Sequence, residues 1–357
     1  MSTKSPLVSF SVFLKRLGTL CPALLAILSI LVIFSVLAAP ASAGRQLESQ
    51  TVRYTGVMLR DMTVRATPDR DGKALATVRT NEKIGIYDYT PEWLYVSSKN
   101  GNGYVLRAQV RDIVAIDPEN TPPYGVVPHL QMAKVAADTA LYTEMSVESG
   151  MWCGVTAGST ISFWYIENGW AAVPYHRVIG YVPASHLAEL TPVSPTVEYA
   201  QSGDLIAAFT TFYETKQTEL NIGRIVNIGV ACDLIESVLQ PGERFSFNEK
   251  AGPYRGTTGY MPSPVLLGGG FVTGYGGGTC QVSTTLYNVL LQLPRGMAIL
   301  QRRPHGPSGA RYVPHGMDAA VGTVDINLVF ENTYPFPVRI AAHAQDGALF
   351  IGLYKES

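Results

Sequence analysis

The stretch GYGGGTCQVSTTLYN, Gly274 to Asn288, sets a cysteine where a glycine run turns toward a helix. Beyond Cys280, the residues Val282, Leu286, Val289, Leu290 and Leu293 recur at helical spacing and stop at Pro294, which predicts one apolar helix face. Cys280, Ser283, Thr284 and Tyr287 form a second stripe, well over a right angle away at about 100° per residue. A cysteine off the apolar stripe and in the first turn faces unpaired N–H groups at the positive end of the helix dipole. Such a setting favours an anion, which for cysteine is the nucleophilic thiolate. Gly276, Gly277 and Gly278 carry no side chains, so backbone or substrate can approach the sulfur, and N–H groups there are suited to an oxyanion. Thr279 stands where a helix cap is expected. The lysine of a P-loop is missing and the dinucleotide spacing is not met, which argues against nucleotide binding.

A cysteine nucleophile needs a base. The Gly- and Pro-rich segment RRPHGPSGARYVPHGMDAAVG offers His305, His315 and Asp318, enough for a Cys–His–Asp arrangement. Cys280, His305 and His315 match no compact zinc spacing, so no metal and no cofactor are expected. His176, His186 and His343 stand in strand or turn contexts apart from this cluster.

These residues belong to the last part of a 357-residue chain, long enough for two or three domains. From residue 205 to 357, RIVNIGVACDLIESVLQ places Ile225, Ile228, Cys232, Ile235 and Leu239 at helical spacing up to Pro241-Gly242, and the end of the chain reads as strands. Helices followed by strands predict a mixed α+β domain. Before it, residues 50–113 and 128–191 read as short strands broken by turns. EWLYV…GYVLRAQV is echoed by GWAAV…GYVPASHL, an internal repeat of about 75 residues. Both copies resemble bacterial Src-homology-3 (SH3) domains, the first more closely. That implies two all-β barrels that either touch the cell wall or space the domains.

Residues 1–43 read as an export signal, or a retained anchor. Lys4, Lys15 and Arg16 precede the apolar run Leu20–Ala39 and an A-x-A site at Ala41-Ser42-Ala43. The run is about the length of a membrane span, and either reading places the rest outside the cytoplasm; membrane contact is expected only through this segment. With 27 basic and 28 acidic residues, a net charge of −1 and no basic cluster, no nucleic-acid partner is expected. After export Cys153, Cys232 and Cys280 remain. If Cys280 stays free, Cys153 and Cys232 form a disulfide or stand as two buried thiols.

LQPGERFSFNEKAGP, GYGGGTCQVSTTLYN and RYVPHGMDAAVG, in that order, resemble the successive motifs of the VanW family, with RIVNI upstream. The resemblance covers about residue 205 onward. It implies peptidoglycan L,D-transpeptidation through Cys280, with peptide stems as partners, His305 as base and Asp318 as its orienter. Gly277, Gly278, Thr279, Gln281, Ser283, Tyr287 and Tyr312 become the expected substrate or oxyanion contacts. Arg303 stands where the family's earlier histidine is written, and Phe245 and Phe247 of FSFN read as structural. A non-catalytic wall-binding protein and a cysteine peptidase using water are the alternatives.

Overall fold

The computed structural model describes residues 51–357 except 90, 91, 119, 120, 127, 195, 268, 269, 307, 308 and 315. The export segment and His315 therefore lie outside the described residues. The described residues fall in one unit, 47–357, and all that follows concerns it. It is mostly β-sheet, in several sheets, with few helices.

The first strands are β1 (Tyr54–Met58), β2 (Met62–Arg65), β3 (Ala74–Val78), β4 (Lys83–Tyr89), β5 (Trp93–Ser98), β6 (Gly101–Leu106) and β7 (Val110–Ala115). They form one antiparallel sheet in the order β3-β2-β6-β5-β4-β1-β7. Next come β8 (Gln131–Val135), β9 (Thr139–Tyr142), β10 (Met151–Val155), β11 (Thr160–Phe163), β12 (Tyr165–Glu167), β13 (Trp170–Tyr175), β14 (Val178–Pro183) and β15 (Leu187–Pro192). They run β10-β9-β14-β13-β12 and β11-β8-β15. The two segments thus share one strand order, with β11 and β12 together standing where the first has the single strand β4.

The C-terminal segment holds β16 (Leu205–Phe212), α1 (Glu219–Ile235), β17 (Ser237–Leu239), β18 (Arg244–Ser246), α2 (Phe247–Ala251), β19 (Pro262–Leu267), β20 (Gly270–Tyr275) and α3 (Thr279–Leu290). It closes with β21 (Met297–Gln301), β22 (Val329–Asn332), β23 (Val338–Gln345) and β24 (Ala348–Lys355). The main sheet runs β16-β24-β23-β17, and α3 packs against β16 and β24 while α1 packs against β23 and β19. Val282, Leu286, Val289 and Leu290 are fully buried in the largest core cluster, the apolar stripe the periodicity predicts. Phe245 and Phe247 are also fully buried, and Phe245 stacks on Phe330 at 4.8 Å.

One expectation needs correction. The helical pattern toward Leu239 stops at Ile235, because Ser237–Leu239 pairs with β23 as β17. Of the two alternatives for Cys153 and Cys232, free thiols are found and not a disulfide. Cys153, Cys232 and Cys280 are all free, and Cys232 packs in the C-terminal core while Cys153 packs against the second module's core.

The second module and the C-terminal segment share interior. Phe212 and Ala348 are buried in the second module's core. At the same junction His129, fully buried, faces Ser162 Oγ through Nδ1 at 2.6 Å and lies 4.8 Å from the Phe209 ring. Ser162 N–H donates to Thr210 Oγ1, and the His129 N–H donates to Gln292 Oε1. Burial drives the imidazole down to about 3, so the folded chain holds it neutral where the unfolded chain takes a proton near pH 6.5. Its contribution to stability is complete above pH 6.5 and is lost as pH falls toward 3, at about 1.4 kcal/mol per pH unit. Thermal melts between pH 4.5 and 6.5 are expected to show a shallower slope in His129→Gln than in wild type. An unchanged slope would remove His129 as the acid-sensitive group.

Candidate active site

The run before α3 turns sharply, with Gly276 at φ +82° and Gly278 at φ +111°, left-handed values that suit glycine. Gly278 is the residue before the helix and no side chain caps it. Thr279 is the first helical residue, and its hydroxyl donates to Gly276 O at 2.8 Å, so it braces the turn instead of capping. Gly277 is pressed between neighbours: a Cβ there would lie 2.3 Å from both Pro264 O and Ser263 Oγ. Asn227 of α1 secures the same point. Its Nδ2 donates to Gly277 O, Met261 O and Ser263 Oγ, and its Oδ1 accepts from Met261 N–H at 2.7 Å. The close approach that these glycines allow is made by the protein's own β19 and α1. Gly277→Ala is therefore expected to destabilise by more than about 2 kcal/mol, since no flexible side chain can yield there. Urea unfolding measures this, and a loss under about 0.5 kcal/mol, typical of a neutral surface change, would contradict the packing argument.

The polar stripe of α3 is covered as fully as its apolar one. Ser283, fully buried, donates to Ala319 O at 2.6 Å, and Thr284 Oγ1 accepts from Ala319 N–H at 3.0 Å. Asn288 Nδ2 donates to Met317 O. Gln281 is committed to structure: its Nε2 donates to Phe212 O and Thr211 Oγ1, while its Oε1 accepts from Arg224. The side chains of Gln281, Ser283 and Thr279 are thus buried and bonded within the protein. The bonds of Ser283, Thr284 and Asn288 hold residues 317–321 alongside α3, running antiparallel to it from Met317 at Asn288 to Val321 at Cys280.

Cys280 is half-buried, and its Sγ lies 3.4 Å from both Val321 N and Val321 O. The Cys280 side chain is close enough to the His305 ring to act on its charge. Its Nδ1 lies 2.7 Å from Asp318 Oδ2, which also accepts the His305 backbone N–H at 2.7 Å. With Nδ1 on the carboxylate, Nε2 is the nitrogen left for sulfur. Burial disfavours the charged ring, but the Cys280 side chain, then the hydrogen bond and charge of Asp318, outweigh it and raise the imidazole to about 9. The Asp318 side chain is 1% exposed. Burial alone would raise its carboxyl, yet the N–H, ring and charge of His305 hold it below the ordinary carboxylate range.

Three further residues frame this trio. Arg302 Nε donates to Asp318 O at 2.7 Å, another guanidinium nitrogen lies 3.6 Å from Asp318 Oδ1, and the group sits over the Tyr287 ring. Tyr287, half-buried, thus packs under the Arg302 guanidinium that also meets Asp318. Asn248 gathers the segment after Cys280's backbone partner: its Nδ2 donates to Thr323 O and Ile326 O, and its Oδ1 accepts from Gly322 N–H and the Tyr254 hydroxyl. Tyr312 hydrogen-bonds Thr284, and burial first and Cys280 second raise its phenol. Arg303, in the place of the family's earlier histidine, joins the site through its main chain, accepting from Ala320 N–H at 2.7 Å. Asn227, Arg302 and Tyr254 escape sequence reading, because nothing in their local spacing marks them. A cavity of about 530 Å³ lies on the first module near Arg60, Arg70 and Arg107 and includes no residue of the cysteine site. Among the described residues no group of three His, Cys, Asp or Glu side chains is placed to hold a metal ion.

The fold and site define a β-rich chain with a cysteine–histidine–aspartate cluster at a helix N-terminus. Residues 223–354, under half of the chain, match the family described as VanW like protein, so the C-terminal segment is similar to that family. It is 37% identical over 143 residues to the Bacillus subtilis (strain 168) protein YoaR, itself described as uncharacterized. The chain spans under half of that relative's length, 46%. Two solved structures from Trichomonas vaginalis, NlpC2 and NlpC1, align over 87% and 80% of this chain and 100% and 90% of their own. Their identities are 12% and 13% and their TM-scores 0.17 and 0.18, too low to carry an argument.

Proposed function

We propose that this chain is an exported cell-wall enzyme, a cysteine-dependent L,D-transpeptidase acting on peptidoglycan peptide stems. The observation that carries the reading is the His305 ring, placed between Cys280 and the buried Asp318. Cys280 gives its thiol proton to His305, and its Sγ attacks the carbonyl carbon of the amide joining an L-configured centre to a terminal D-residue. The C–N bond breaks, His305 protonates the leaving amine, and a thioester remains on sulfur. An acceptor amine then attacks the thioester carbonyl, forming the cross-link and returning the thiol. Asp318 holds the ring through Nδ1 and keeps its orientation. The repeated β-modules are SH3-like barrels ahead of the catalytic domain, and the segment at 1–43 directs export.

The test is incubation of the purified chain with defined tetrapeptide stems, followed by mass spectrometry of protein and products. A thioester adduct on Cys280 and a cross-linked dimer lacking one D-residue are expected. Release of free tripeptide alone would make the enzyme a peptidase with water as acceptor. Neither adduct nor product across stem chemistries would leave a binding protein.

A further inference from the structure

A groove of about 360 Å³ lies beside the catalytic segment, lined by Trp152, Tyr175, His176, Arg177, Val178 and Arg311. Its wall is aromatic and preset. The Trp152 and Tyr175 rings lie 5.9 Å apart with planes 17° apart, and Tyr175 and His176 stack at 4.1 Å and 11°. Trp152 is 42% exposed and Val178 44%. His176 holds φ +52° at the two-residue turn that joins β13 to β14, where tight hairpins require it.

The groove is joined to the cysteine site by two short routes. Tyr175 packs on Phe212 at 5.6 Å, and the Phe212 carbonyl accepts from Gln281, the neighbour of Cys280. Arg177 donates to Val313 O and Ala310 O, so it grips both sides of the stretch carrying Arg311 and Tyr312. Arg311 faces the groove while Tyr312 lies by Cys280. One short segment therefore contributes to both places.

We propose that this groove is a saccharide subsite of the acyl-transfer enzyme, holding a sugar ring of the glycan that bears the reacting peptide stem. The inference rests on the function proposed above. Parallel aromatic faces with an adjacent guanidinium suit a ring with C–H groups on one face and hydroxyls around its edge.

Chitotetraose, an oligomer of N-acetylglucosamine, is the probe, with binding read by saturation-transfer NMR on the full chain. Wild type and Cys280→Ala are expected to bind alike, and Trp152→Ala to weaken binding at least tenfold. Val178→Trp, which fills the groove from its exposed rim, is expected to do the same and keeps the test sound if Trp152→Ala folds poorly. In turnover assays both variants should raise KM for glycan-linked stems about tenfold more than for free stems, with kcat little changed. Binding by Val178→Trp at wild-type strength, or no chitotetraose binding by wild type, would overturn the subsite. Sugar binding by wild type without turnover of any stem would overturn the proposed enzyme and leave the saccharide site standing.

Discussion

Cys280→Ala is expected to abolish thioester formation and reduce cross-linking by at least about 10⁴-fold, the scale seen when a nucleophile is removed. No other side chain in the site can replace it: Ser283 is buried and bonded to Ala319 O and Cys280 O, and Thr284 is held by Ala319. The fold is expected to survive. The sulfur's polar contacts are the weak pair with Val321 at 3.4 Å, and their loss costs roughly 1 kcal/mol. Intact-mass spectrometry after incubation with stems, run beside thermal melts, separates the two effects. Full turnover by a folded Cys280→Ala protein would falsify the mechanism.

His305→Ala is expected to slow acylation by about 10²–10⁴-fold, the usual contribution of a positioned acid–base group. With the ring raised to about 9, it holds its proton across neutral pH and can give it to the leaving amine. Acylation kcat/KM is therefore expected to fall as pH rises through about 9. Asp318→Asn tests the cause. The hydrogen bond and charge of Asp318 both raise the imidazole, so the basic limb is expected to move to lower pH when the carboxylate is removed. The same substitution takes the charge from a side chain that also faces Arg302 at 3.6 Å, so melts are recorded alongside. A basic limb that stays in place in Asp318→Asn would show that Asp318 does not set the ring's charge.

The helix after the glycine run, the departure of Cys280 from its apolar stripe and the offer of His305 and Asp318 are all legible in the residues themselves. Helical periodicity is a local property, so it states which face a residue occupies before any partner is known. Periodicity does not state what covers that face. The stripe of Ser283, Thr284 and Tyr287 looks like the wall of a site, yet residues 317–321 bury Ser283 and Thr284 and Arg302 covers Tyr287. Gly277 reads as room for a backbone or a substrate, and Pro264 and Ser263, brought beside it by the pairing of β19 with β20, take that room. Gln281 reads as a contact beside the nucleophile and becomes the tie between α3, β16 and α1. Cys153 and Cys232 offer a pairing by count alone, whereas packing places them against different cores. In each case the deciding neighbour comes from a distant part of the chain, and only the folded arrangement of sheets and helices brings it close enough to exclude water or accept a hydrogen bond.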